Sequence, residues 1–143
     1  MTVEPLLADS QAKLRVALEL VFASAATYLP FDPDRIYSPR EREPFDALSD
    51  RFLRAFESSL KFFRTWERVR EANASETFRD LLLRMEKLGL ISDLATWIGL
   101  RDLRNRVVHD YLPGELAELY AAIIDEAVPE FRRLDHAIAK RLR

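Results

Sequence analysis

Apolar residues recur along most of this chain at three- and four-residue intervals, and no segment alternates cleanly. That pattern predicts helices and no sheet. Leu14, Leu18 and Val21 or Phe22 set a first helix, expected from about Asp9 to Leu29 with Asp9 or Ser10 as its cap. Pro30, Pro33, Pro39 and Pro44 then follow in close succession. Each removes a backbone donor and restricts the residue before it, so the stretch from Pro30 to Pro44 reads as a loop. It carries Arg35, Arg40 and Arg42 and is mildly basic.

The second helix is expected from about Phe45 to Ala72. Phe45, Leu48, Phe52, Phe56, Phe63 and Trp66 line one face, while Leu53, Leu60 and Phe62 fall off that stripe. Two readings stay open for this helix: a core face plus a partner face, or one wide core face. Ser75 is the expected cap of a third helix ending near Leu88, with Gly89 as its left-handed C-terminal residue. Ser92 and Asp93 open a fourth, whose core stripe is Trp97, Leu100, Leu103 and Val107, and Pro113 stops it by about Tyr111. The fifth starts near Glu115 and shows Leu116, Leu119, Tyr120, Ile123 and Ile124. Pro129 should kink it, and Phe131, Leu134 and Ile138 continue the stripe. Lys140, Arg141 and Arg143 suit its C-terminus through the helix dipole. The expectation is an all-α protein, an antiparallel helical bundle of four to five helices. Only three glycines, Gly89, Gly99 and Gly114, agree with that.

Composition sharpens the picture in three ways. A length of 143 residues fits a single domain over residues 1–143. The absence of cysteine excludes disulfides and thiolate metal sites and points to a reducing compartment. With no basic start, no long apolar run and no secretory signal at the N-terminus, the expected location is cytoplasmic, away from the membrane. Lys plus Arg number 22 and Asp plus Glu 24, a net charge of -2. The whole surface is therefore not an attractor for nucleic acid, and any RNA contact must be local.

The chain has no Gly-rich phosphate loop, no GxSxG elbow and no HExxH. Its two histidines, His109 and His136, cannot build a His/Cys metal cluster within one subunit, and no Asp/Glu cluster points to the carboxylate-only magnesium site that is possible in principle; no metal or cofactor is expected. His136 follows Asp135 among charged residues and reads as solvated surface. His109 lies in RDLRNRVVHDY, which is where the chemistry is sought. If that stretch is helical, Asn105 and His109 stack as i and i+4, and Asp102 joins them two turns back. Arg104 then stands about 140° from His109, beside the core stripe. One copy of such a helix does not bring Arg104 and His109 onto one substrate, whereas two copies about a two-fold axis would.

These residue types suit phosphodiester cleavage. Arginine clamps a phosphate and stabilises developing charge. An imidazole takes and gives protons near neutral pH. Asparagine orients the imidazole or the substrate. RNA brings its own nucleophile in the 2′-OH, so neither metal nor protein nucleophile is required. The structural alternative stays open at this point. Arg104 pairs with an acid, Asn105 fills a helix interface and His109 closes a helix end through the dipole. An Arg and a His at this separation occur often by chance.

The octet RNRVVHDY, Arg104 to Tyr111, resembles the Arg-x4-His-x-Tyr signature of HEPN domains, most closely that of HepT-like toxins. The resemblance extends upstream through Met85-Glu86-Lys87-Leu88-Gly89-Leu90-Ile91 and Trp97, and covers about Phe45 to Phe131. It implies a homodimer with both Arg–His pairs in the cleft between protomers, cutting RNA without metal. Arg104 would bind the phosphate, His109 would be the acid/base and Asn105 would support the site, with Arg101 and Arg106 as candidate RNA contacts. HepT-like toxins are encoded beside a minimal nucleotidyltransferase (MNT) antitoxin. Tyr111 matches the tyrosine to which that partner adds AMP, blocking the nuclease. The Lys87–Ile91 stretch also resembles a related branch, helical substrate-binding partners of nucleotidyltransferases without catalysis of their own.

Overall fold

The computed structural model describes residues 4–109 and 111–142. Asp110 of the octet and Arg143 of the basic tail lie outside the described residues. The helices are α1 (Glu4–Ala26), α2 (Pro39–Arg70), α3 (Phe78–Lys87), α4 (Leu94–Val107), α5 (Pro113–Ala122) and α6 (Val128–Arg141), with one π turn (Ile123–Ala127) joining α5 to α6 without a break. No strand forms among the described residues, and no helix there is long and apolar enough to cross a membrane.

Pairings along α2 fix the directions. Glu4 meets Arg70 and Tyr28 meets Phe45, so α1 runs antiparallel to α2. Phe45 stacks on Tyr120 and Phe52 lies against Phe131, so α5 and α6 run with α2. Trp97 packs on Phe63 while Arg104 meets Glu57, so α4 runs against it. The result is the antiparallel bundle that the periodicity predicts, with α2 at its centre and the short α3 beside α4.

That central position explains the width of the apolar face on α2. Phe62, which falls off the expected stripe, is as completely buried as Phe52, Phe56 and Phe63, and Leu53 and Leu60 are half-buried against the core. At Phe62 the wide core face is therefore the reading that holds. The core is unusually aromatic. Trp97 sits 5.1 Å from Phe63, 5.9 Å from Phe56 and 6.1 Å from Phe131, ring centre to ring centre.

Four boundaries differ from expectation, each for a local reason. Helix α1 starts at Glu4, before Asp9 and Ser10; Asp9 pairs with Lys13 inside the helix and caps nothing. Helix α2 starts at Pro39, because Ser38 and Glu41 form a reciprocal capping box and Pro39 takes the first helical position, where no N–H is needed. Pro39 to Pro44 are thus helical and the loop is shorter than the prolines suggest. Thr77, not Ser75, caps α3. Ser75 is taken instead by the buried Glu67, which also accepts from Arg84 Nε at 2.9 Å. Helix α4 ends at Val107, short of Tyr111.

Two expected helix signals are in place, and each carries a prediction. Gly89 has φ 76°, with its N–H donated to Glu86 O and that of Leu90 to Met85 O. This is a Schellman closure. A Cβ added there would lie 3.1 Å from the mobile end of Arg141, which can yield, so the cost is one of backbone conformation. Gly89→Ala is expected to lose about 1 kcal/mol in urea denaturation. Asp93 caps α4, its carboxylate accepting from Thr96 N at 2.7 Å. That hydrogen bond holds its carboxyl below the usual range. A depressed folded value adds stability above the unfolded value and loses it as pH falls through the folded one. Asp93→Asn keeps a capping oxygen without the charge. The melting-temperature gap between wild type and Asp93→Asn should therefore shrink on acidification below about pH 4, around the ordinary aspartate range.

Candidate functional site

The motif begins on the last turns of α4. Trp97, Leu100 and Leu103 bury one side of this helix. A second buried carboxylate fixes its start: Glu130 of α6 accepts from Trp97 Nε1 at 2.8 Å and Ser92 N at 3.0 Å, and pairs with Arg133. Arg104 lies next to the buried stripe, as its spacing requires. Its guanidinium sits 5.8 Å from the Phe56 ring centre, with one terminal nitrogen 3.4 Å from Glu57 Oε1. Its Nε is buried and has no acceptor among the described residues. Both partners are partly exposed, and such a pair is worth no more than about 1 kcal/mol.

His109 is not on the helix. The chain leaves α4 at Val107, and the His109 N–H bonds to Arg106 O in a tight turn. Pro113 occupies the first position of α5 and holds Leu112 extended, so the segment between the helices must reverse direction before it. The expected i, i+4 stack of Asn105 and His109 is therefore absent: Asn105 stays on α4, exposed, while His109 swings off its end.

His109 and Tyr111 come together across this turn, ring centres 6.3 Å apart and nearly perpendicular. Both line a cleft of about 400 Å³ whose other walls are the first turns of α2, with Arg42, Asp46 and Ser49, and α5, with Tyr120. Arg104 is not among the lining residues. Tyr120 is buried at the base. Burial raises its phenol above the ordinary value; Arg42 opposes this and Asp46 adds to it, so the hydroxyl stays protonated at neutral pH.

The remaining expected residues are dispersed. Arg101 lies 4.8 Å over the Phe78 ring of α3, and Arg106 is exposed on the last turn of α4. His136 is exposed on α6, as read from its neighbours. By sequence, Arg42 falls only in the mildly basic Pro30–Pro44 stretch. The signal that could have placed it is the Ser38–Glu41 capping box, which puts Arg42 on a rigid helix. Among the described residues no group of three or more His, Cys, Asp or Glu side chains is placed to hold a metal ion. A larger groove beside α1, about 520 Å³, is lined by charges already engaged: Arg35 with Glu41, and Arg51 with Ser24.

Fold and motif together define an all-helical bundle that carries an Arg, an Asn, a His and a Tyr around the end of one helix. The chain is 30% identical over 79 residues to a protein of Haemophilus influenzae named Probable ribonuclease HepT. The match covers 52% of this chain and 54% of the relative, so the chain spans about half the length of the curated relative it matches. This similarity is consistent with a HepT-like HEPN protein, the resemblance carried by the octet. No family model matches the chain, and no solved structure matches it.

Proposed function

We propose that this protein is a metal-independent endoribonuclease, the toxin of a HEPN–MNT pair, acting as a homodimer. The observation that carries the reading is the placement of His109 and Tyr111 in one cleft. A partner protomer would bring the two Arg104–His109 sets around one strand. Arg104 would neutralise the scissile phosphate. His109 would take the 2′-OH proton and return one to the leaving 5′-oxygen. Asn105 would support the site, and Arg101 and Arg106 would add RNA contacts. The phosphodiester would open to a 2′,3′-cyclic phosphate with no proton gained or lost overall.

Tyr111 is half-buried beside His109. An AMP group attached there by an MNT-type nucleotidyltransferase would fill the cleft and stop the reaction. The related curated name, Probable ribonuclease HepT, supports the activity. One observation favours a second reading, a non-catalytic helical partner of a nucleotidyltransferase: within one chain Arg104 faces Glu57 and lies outside the His109 cleft.

The test is cleavage of RNA by purified protein in EDTA, with the intact mass of the same sample. Cleavage by protein of unmodified mass is the expected result. No cleavage by protein of unmodified mass overturns it in favour of the binding partner. A mass increased by whole AMP units, with cleavage restored when they are removed, supports both the activity and its control.

A further inference from the structure

The cleft around His109 is supplied with positive charge by a residue outside the octet. Arg42 stands on the second turn of α2, on backbone fixed by the Ser38–Glu41 capping box. Its guanidinium lies 5.8 Å from the Phe31 ring centre. Phe31 is itself clamped by Tyr37, Phe45 and Tyr120, at 4.7, 5.0 and 5.4 Å between ring centres. The Phe31 ring backs the guanidinium, which lies at the cleft that Tyr120, His109 and Tyr111 also line. Arg42 is the only arginine or lysine among the described residues that line the cleft. Arg104, on the other hand, lies towards Glu57.

Resting on the nuclease reading above, we propose that Arg42 binds a phosphate of the RNA strand next to the one that His109 serves. The cleft is of nucleotide size, at the lower end of small-molecule sites. A guanidinium on a rigid helix, backed by aromatic rings, loses little entropy when it forks onto a phosphate. The hydroxyls of Tyr120 and Ser49 stand in the same cleft as further donors. Asp46, the one acid among the described lining residues, disfavours an anion near itself and so biases the strand towards Arg42. Arg42 is thus a binding residue that sets which nucleotide reaches His109, and each protomer carries its own.

The test measures binding of a 2′-O-methyl oligoribonucleotide, which has no 2′-OH to attack, and of 5′-AMP. It compares wild type, Arg42→Gln, Arg42→Lys and Arg40→Gln across a salt series. Arg40 is exposed and lies roughly 200° around α2 from Arg42. Arg42→Gln is expected to weaken oligonucleotide binding roughly ten-fold and to flatten the slope of log K against log salt by about 0.7, one phosphate contact on a single strand. Arg42→Lys should restore the slope and only part of the affinity, and Arg40→Gln should resemble wild type. Equal losses in Arg42→Gln and Arg40→Gln would overturn the proposal, since net charge alone would then explain them. So would unchanged binding in Arg42→Gln, absent binding in wild type, or an Arg42 effect on AMP alone. A wild type that binds through Arg42 but cleaves no natural RNA sinks the nuclease reading and leaves Arg42 as a phosphate-binding residue. Thermal melts of every variant confirm that α2 stays folded.

Discussion

His109→Ala is expected to lower RNA cleavage about 10²–10⁴-fold, the range that a general acid/base contributes, while leaving the fold intact. His109 would make both proton transfers, and among the described residues no other imidazole lines the cleft. Arg104→Ala should cost a similar factor, about 10²–10³, through lost stabilisation of the phosphorane-like charge. Arg104→Lys should recover only part of that, because an ammonium keeps the charge but not the fork. His109 is exposed, and Arg104 pairs with an exposed glutamate and lies over the Phe56 ring, so the alanine variants should lose no more than about 1 and 2 kcal/mol of stability respectively. Initial rates on one RNA, with thermal melts of the same samples, read both quantities. Unchanged cleavage in both alanine variants would remove Arg104 and His109 from the chemistry.

Trp97→Ala should be the most damaging single change in the bundle, at about 3–5 kcal/mol. That is a large share of the roughly 5–15 kcal/mol that holds a domain of this kind together. The ring is fully buried among Phe56, Phe63 and Phe131, and its N–H is one of the groups that satisfy the carboxylate of Glu130. Truncation leaves a cavity and takes a donor from a buried charge at once. Trp97→Phe separates the two terms, because it refills most of the space and loses only the hydrogen bond, an expected cost of about 1–3 kcal/mol. Urea denaturation followed by circular dichroism measures both. A Trp97→Ala protein within about 1 kcal/mol of wild type would show that the aromatic centre does not carry the packing. Since α4 carries Arg104 on the same rod, the damage should also appear as lost cleavage near the melting temperature.

The parts of this structure that were legible in the sequence are those set by neighbours in the chain. Gly89 and Asp93 were readable because a left-handed closure and a helix cap each depend on a few adjacent residues. The stripe of Trp97, Leu100 and Leu103 was readable because one helix face reports its own burial. The start of α2 was misread because four prolines outweighed the Ser38–Glu41 pair, although Pro39 at a first helical position favours a helix. Tertiary relations were out of reach. Nothing near Glu130 announces that its carboxylate will meet Trp97 across 33 positions, and nothing near Phe62 distinguishes a covered face from a free one. At the site, Arg104, Asn105, His109 and Tyr111 could be singled out, but their grouping could not. His109 leaves the helix that its spacing assumed, and Arg42 joins it from a segment read as loop.

The π turn between α5 and α6 works as an indexing device. Val128 N–H reaches back five residues to Ile123 O, and Pro129, which has no N–H and would crowd the carbonyl of Asp125 in a tighter coil, follows at once. One extra residue in a turn advances everything beyond it by about 100°. The rod therefore has two rotational phases. Its first half shows Leu119 and Tyr120 to the floor of the cleft, and its second half shows Phe131 and Glu130 to Trp97. A chain one residue shorter between Ile123 and Ala127 would lose the π turn and leave Pro129 inside a tighter coil that it does not fit. It would also turn either the cleft or the aromatic centre away from its partners.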